Sequence, residues 1–146
     1  MKNGGLFHHE LITSHEELID YFGINDSLLH GIRQDFVRIE FLPEKELWDI
    51  ENYRLSLDEE NAPEWYESLI PEVTEKLKGI IQKMIITGDK KCIIGGGYIL
   101  KDAKVDYISN CIIYAIYNTN NGEMRDSSKI GEMWDSSNIG EDNRIK

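Results

Sequence analysis

The sequence predicts an α+β fold: a small helix and antiparallel-hairpin unit over residues 1–90, then a β-rich part over residues 91–146 built as a short β-solenoid. Three observations carry that expectation. Residues 35–41 and 53–57 alternate apolar and polar side chains, as half-buried strands do. Between residues 73 and 84, apolar side chains return at helical spacing. Residues 122–130 are followed at once by a copy of themselves, residues 131–139, in which seven of nine positions match.

The elements follow in order. Ser14-His15-Glu16-Glu17 has capping-box spacing, with Leu18, Ile19 and Phe22 apolar and Gly23 as a stop, so a short helix is expected over residues 15–22. A weaker helical turn is expected over residues 27–32. Val37, Ile39 and Phe41 share one face of a strand that Pro43 ends, and Tyr53-Arg54-Leu55-Ser56-Leu57 follows closely enough to pair with it antiparallel. Trp48 falls in the connection. Asn61-Ala62-Pro63-Glu64 marks a helix start, and Pro71 predicts a break or kink near Ile70, because the residue before proline is disfavoured in helix. Val73, Leu77, Ile80, Ile81 and Met84 then line one helical face, with Lys76, Lys78 and Lys83 on the others. From Lys91 to Tyr117 the chain is rich in Ile, Val and Tyr, broken at Gly95-Gly96-Gly97, Lys101-Asp102 and Ser109-Asn110, which reads as β structure.

The repeat unit is Gly-Glu-Met-x-Asp-Ser-Ser-x-Ile, and a third copy begins at Gly140-Glu141 before decaying. Stepping by nine places Asn118-Thr119 and Ser109-Asn110 in the Ser-Ser slots, and Ile112 and Ala103 in the Ile slot. Two nonapeptides make one coil of about 18 residues, the size found in parallel β-rolls and β-helices. Each unit holds a single glycine and lacks the ligand pattern of the calcium-binding nonapeptide, so no calcium is expected. Over residues 122–139 the chain resembles a set of uncharacterised phage, prophage and gut-metagenome proteins. They carry runs of a Val/Ile-Gly-x-Met-aromatic-Asp-Ser-Ser-x repeat behind a small α/β region. Residues 35–41, Trp48-Asp49 and Pro63-Glu64-Trp65 give looser support. The resemblance implies a phage-type protein and carries over no catalytic residue.

Composition narrows the function. The chain has 146 residues, with 16 Lys+Arg against 27 Asp+Glu and a net charge of -11, so it repels phosphate backbones and is not expected to bind nucleic acid directly. No apolar run is long enough for a membrane span. Two cysteines, Cys92 and Cys111, suit a reducing cytoplasm, that of a host cell if the protein is phage-encoded, and both are expected in apolar β segments as buried small hydrophobes. His8-His9-Glu10 and His15 lack the His-Glu-x-x-His spacing of a zinc helix, and Gly95-Gly96-Gly97 lacks the lysine and helix of a phosphate loop. No metal, cofactor or catalytic set is expected, and an enzyme is not the reading.

Residues 43–72 hold ten acids against two bases. The expected binding surface is drawn from this stretch: Glu44, Glu46, Asp49 and Glu51, then Asp58, Glu59, Glu60 and Glu64, with Trp65 as an apolar anchor. Trp134 is a further anchor, or a cation–π partner of Arg125. Charge, small size and the phage-like repeat together point to a protein that binds another protein. The expected partner is a host nucleic-acid enzyme with a basic groove, such as a CRISPR effector, inhibited in the manner of anti-CRISPR proteins. The alternative is a structural or adhesive β-solenoid module without inhibitory activity.

Overall fold

The computed structural model describes residues 6, 8–9, 14–24, 36–134 and 137–144. The expected turn over residues 27–32 lies outside them. The chain divides into two compact units, Met1–Ile80 and Ile81–Lys146.

In the first unit, α1 (His15–Tyr21) is capped by Ser14, whose hydroxyl accepts the Glu17 amide at 3.4 Å and donates to the Glu16 carboxylate at 2.9 Å. The Glu16 carboxyl is held below its usual value, chiefly by its own backbone amide and then by Ser14. At the other end Gly23, with φ +61, lets the Ile24 amide bond back to the Ile19 carbonyl at 2.9 Å. Strands β1 (Ile39–Pro43) and β2 (Tyr53–Leu57) pair antiparallel from Ile39↔Leu57 to Pro43↔Tyr53. The first strand therefore starts four residues later than its alternation suggested. Phe36 and Val37 are both buried, and the Arg38 amide donates to the Glu59 carboxylate at 3.3 Å instead of to a strand. The connection between the strands holds Trp48, half-buried, and one 3-10 turn at Ile50–Asn52.

Helix α2 (Tyr66–Met84) starts after a turn closed by the Tyr66 amide on the Pro63 carbonyl. It runs without a break through Pro71, contrary to the expected interruption at Ile70. Proline has the helical φ, so at this position it removes one bond, to the Glu67 carbonyl, on an exposed face where water can replace the lost donor. Tyr66, Leu69, Ile70, Val73 and Leu77 form one stripe that packs with Val37, Ile39, Leu55 and Leu57. Burial raises the Tyr66 phenol above its usual value.

The second unit is a parallel β-solenoid of about three turns. Its strands are β3 (Ile85–Ile94), β4 (Gly97–Ser109), β5 (Ile112–Tyr117), β6 (Asn120–Asp126), β7 (Lys129–Trp134) and β8 (Asn138–Arg144). Strand structure thus begins at Ile85, directly after α2 and six residues before the expected start. The long β4 turns a corner at Asp102, with φ +48. Its first half pairs with β5 and then β7, and its second half with β6 and then β8, so two ladders grow from it. Corresponding residues lie 14 apart at Ile85↔Ile99, 16 at Lys104↔Asn120, 17 at Ile112↔Lys129 and 18 at Asn120↔Asn138. Two nonapeptides make one full coil only at the last step. The shorter early coils shift the faint copies: Ile130 aligns with Ile113 rather than Ile112, Ile139 aligns through Asn121 with Val105 rather than Ala103, and Asn110-Cys111 rather than Ser109-Asn110 fills the Ser-Ser slot.

The roles of the repeat residues follow from stacking. Ile93, Ile108 and Met124 form one buried column, and Leu100 and Ile116 another. Asp102, Asn110, Asn118 and Asp126 take positive φ at corners, which short Asx side chains tolerate. Hydroxyls at Thr119, Ser128 and Ser137 each accept a backbone amide from the coil before: from Ala103 at 3.3 Å, Cys111 at 3.4 Å and Thr119 at 3.3 Å. At the glycine slot each ladder skips one residue pair, and the backbones close in. A Cβ at Gly122 would stand 2.4 Å from the Asp106 carbonyl oxygen, and one at Gly131 2.4 Å from that of Tyr114.

Two stability outcomes follow. Gly122→Ala and Gly131→Ala force backbone apart and should each lower stability by about 1–3 kcal/mol, the usual cost of overpacking, read as a drop in Tm. Unchanged melting would show that the glycine slot is not a steric requirement. Asn121, buried between Val105 and Ile139 with its Oδ1 lacking a hydrogen-bond partner among the described residues, should behave oppositely. Asn121→Val should hold or raise Tm, because an unsatisfied buried acceptor costs about 1–3 kcal/mol. A lowered Tm would mean that its bond to the Asn138 carbonyl at 3.3 Å matters more.

Candidate functional site

The hairpin divides the expected acidic surface. Glu44, Glu46, Asp49 and Glu51 lie in the β1–β2 connection, beyond the Pro43↔Tyr53 end, whereas Asp58, Glu59 and Glu60 follow β2 beyond the Ile39↔Leu57 end. A five-residue strand separates the two groups by about 14 Å, more than the screening length of about 8 Å at physiological ionic strength. The two groups lie at opposite ends of the β1–β2 ladder.

Several of these carboxylates are engaged. Glu51 receives Lys78 of α2 at 2.6 Å, and that hydrogen bond holds the Lys78 ammonium above its usual value. Glu44 lies 3.6 Å from Arg54, an exposed pair worth little. Asp49 accepts the Asn52 side-chain amide. Glu59 accepts the Arg38 amide. Asp58 faces His15 Nδ1 at 3.2 Å, and His15 Nε2 lies 3.3 Å from the Ile39 carbonyl, which ties α1 to the hairpin. Glu46, Glu60 and Glu64 are exposed and form no ion pair among the described residues. Trp65 is half-buried and packs against the Val37, Tyr66 and Val73 cluster, so its apolar surface belongs largely to the core.

A cavity of about 50 Å³ beside α1 is lined by His15, Ile19, Phe36 and Arg38, among others, and has room for little more than a water or two. Among the described residues no three His, Cys, Asp or Glu side chains converge as a metal site, and no helix is long and apolar enough to cross a membrane. His9 stacks edge-on against Tyr21 with ring centroids 4.9 Å apart. Gly95 and Gly96 form a tight strand connection with φ +69 and +84.

The solenoid presents a feature that charge counting missed. β3, β7 and β8 each pair on one side only among the described strands. Residues 87–92 of β3 are exposed, as is Ile94 at 66%. On β7, Met133 is 44% exposed although it aligns with fully buried Ile116. On β8, Asp142 stands in the column of Ile108 and Met124. The sequence signal was the point at which the third copy decays: Gly140-Glu141 is followed by Asp where the other units have Met. Trp134 ends β7 opposite Tyr117, in the other ladder from Arg125. The Trp134 side chain, and with it the expected pair with Arg125, lies outside what the structure describes. Arg125 lies over the Tyr107 ring at 5.7 Å and bonds Glu123, which raises the guanidinium further.

No protein family matches the chain, and neither curated proteins nor solved structures give a match to it.

The two thiols separate, against the expectation that both are buried. Cys111 is 1% exposed, in the slot filled by Ser128 one coil later, and burial pushes its thiol up. Cys92 is exposed, because its column runs through Tyr107 and Glu123 on the outside of the coil. Iodoacetamide at neutral pH should modify Cys92 and spare Cys111 until the chain unfolds, as peptide mapping would read. Equal labelling of both in the native protein would contradict the packing of that corner.

Proposed function

We propose that the chain is a non-enzymatic protein-binding module that docks a partner on the open edges of its short β-solenoid. The observation that supports this reading is the pair of edge strands β7 and β8, with half-exposed Met133 beside partly buried Ile130 and Ile139. Edge strands offer a row of backbone donors and acceptors, and a partner strand laid there gains both a ladder and apolar columns. The phage-type resemblance fits a role against a host protein, and an exposed thiol at Cys92 fits a reducing cytoplasm.

A second reading keeps one specific support. Exposed Glu60 and Glu64, close in sequence to Asp58 and Glu59, form the denser of the two acidic patches and can meet a basic groove, as in inhibition of a CRISPR effector or another host nucleic-acid enzyme. Division of the acids by the hairpin and their internal pairs make this the weaker reading.

Capture of host proteins on immobilised wild type, Met133→Lys and the triple variant Glu59→Lys, Glu60→Lys, Glu64→Lys decides between them. Loss of a captured protein with Met133→Lys alone is the expected result. Loss with the triple variant alone, and in wild type on raising salt, would transfer the function to the acidic patch. Retention by both variants would remove both surfaces from consideration.

A further inference from the structure

Helix α1 meets the hairpin with little apolar packing. None of its residues is buried. Leu18 and Ile19 share the cavity of about 50 Å³ with Phe36 and Val37, so part of their surface has no partner atoms. The polar tie is His15, the first residue of the helix, and both of its ring nitrogens stand against acceptors. Nδ1 lies 3.2 Å from the Asp58 carboxylate, and Nε2 lies 3.3 Å from the Ile39 carbonyl. The strands fix both acceptors, since Ile39 pairs with Leu57 and the Asp58 amide donates to the Arg38 carbonyl at 3.1 Å. A neutral imidazole has one N–H and one lone pair, so one of the two contacts sets a lone pair against an acceptor. The imidazolium has two N–H groups and makes both.

We propose that His15 is a protonation-dependent latch, which fastens α1 to the hairpin as the imidazolium and loosens it as the neutral ring. The device lies within the first unit and stands apart from the edge-docking reading.

The charged groups on the elements around the imidazole are Glu16 and Glu17 on α1, Arg38 and Glu40 on the β1 side, and Asp58 and Glu59 after β2. Asp58 contacts the ring, and Glu59 accepts the Arg38 amide. Glu16, whose carboxyl its own backbone amide and Ser14 hold low, also feels the charge of Arg38 and His15. Carboxylates and guanidinium keep their charge across the range in which histidine ordinarily titrates, so the change there falls to the imidazole. Docking is then tightest between the ordinary carboxylate and imidazole ranges. It weakens as rising pH removes the second N–H, and again in strong acid, where carboxylates lose their charge. Release frees Leu18 and Ile19 and opens the cavity to solvent.

A helix of seven residues does not hold its own bonds in water, so undocking reads directly as amide exchange. The amides of Phe22 and Ile24, bonded to the Leu18 and Ile19 carbonyls, report it in the isotope-labelled full chain. Their exchange is measured from about pH 5.5 to about pH 8 and divided by the intrinsic rate at each pH. Protection should fall about three- to tenfold over that range, the size of one hydrogen bond to a charged group at a half-exposed site. Amides of α2 and β4 should stay level. The midpoint of the fall should coincide with the titration of the His15 ring, read on its own carbon-bound protons. His15→Gln keeps one donor and does not titrate, so its protection should be low and flat. Asp58→Asn supplies an amide that can donate to Nδ1 of the neutral ring, so the slope should vanish or reverse. Level protection in the wild type, a midpoint away from the His15 titration, or a wild-type slope surviving in either variant would overturn the proposal. If a variant leaves α1 unprotected at every pH, the wild-type slope and its midpoint decide.

Discussion

Backbone pairing between successive coils is the constraint from which the rest of the second unit follows. A parallel strand here obtains its hydrogen bonds from the coil before it and the coil after it, so each position along the unit meets its own equivalent above and below. An inward position covered by coils on both sides is then mostly apolar, as in the column Ile93, Ile108, Met124. The corner must supply something for amides that leave the ladder, and Thr119, Ser128 and Ser137 do so with a hydroxyl each. Where the backbones approach most closely, the side chain must vanish, hence Gly122 and Gly131.

The same constraint creates the functional possibility. Among the described strands, β3, β7 and β8 pair on one side only. Charge on an edge strand is the usual protection against unwanted pairing, and Lys90, Lys91 and Asp142 provide it. The acidic hairpin belongs to a separate unit with its own core, where Val37, Tyr66 and Val73 are the buried centre. Most of its charge is local in effect, tying a connection to α2 through Glu51 and Lys78, or α1 to the hairpin through Asp58 and His15.

Local patterns were legible wherever one segment determines its own structure. Ser14 and Gly23 bound α1 because capping is decided within a few residues. Strand β2 came out with its expected ends, and the repeat announced the solenoid because a period is visible without any partner. Pro71 misled, since a local rule for the residue before proline gave way to the apolar stripe on either side of it. Cys92 misled as well, since a run of Ile and Val does not say which side of a strand is covered.

The sequence by itself determined the class of fold, the helix boundaries set by caps, the hairpin and the two-nonapeptide coil, all of which depend on neighbours a few residues apart or on a fixed period. Only the tertiary structure decided the rest: that coils shorten from 18 residues to 14 towards the N-terminal side, that the acids fall at both ends of a hairpin, and that the basic and acidic edges lie at opposite ends of one stack. These depend on register, and register is set by which side chains fill a column together, a property of several coils at once that no single stretch of sequence contains.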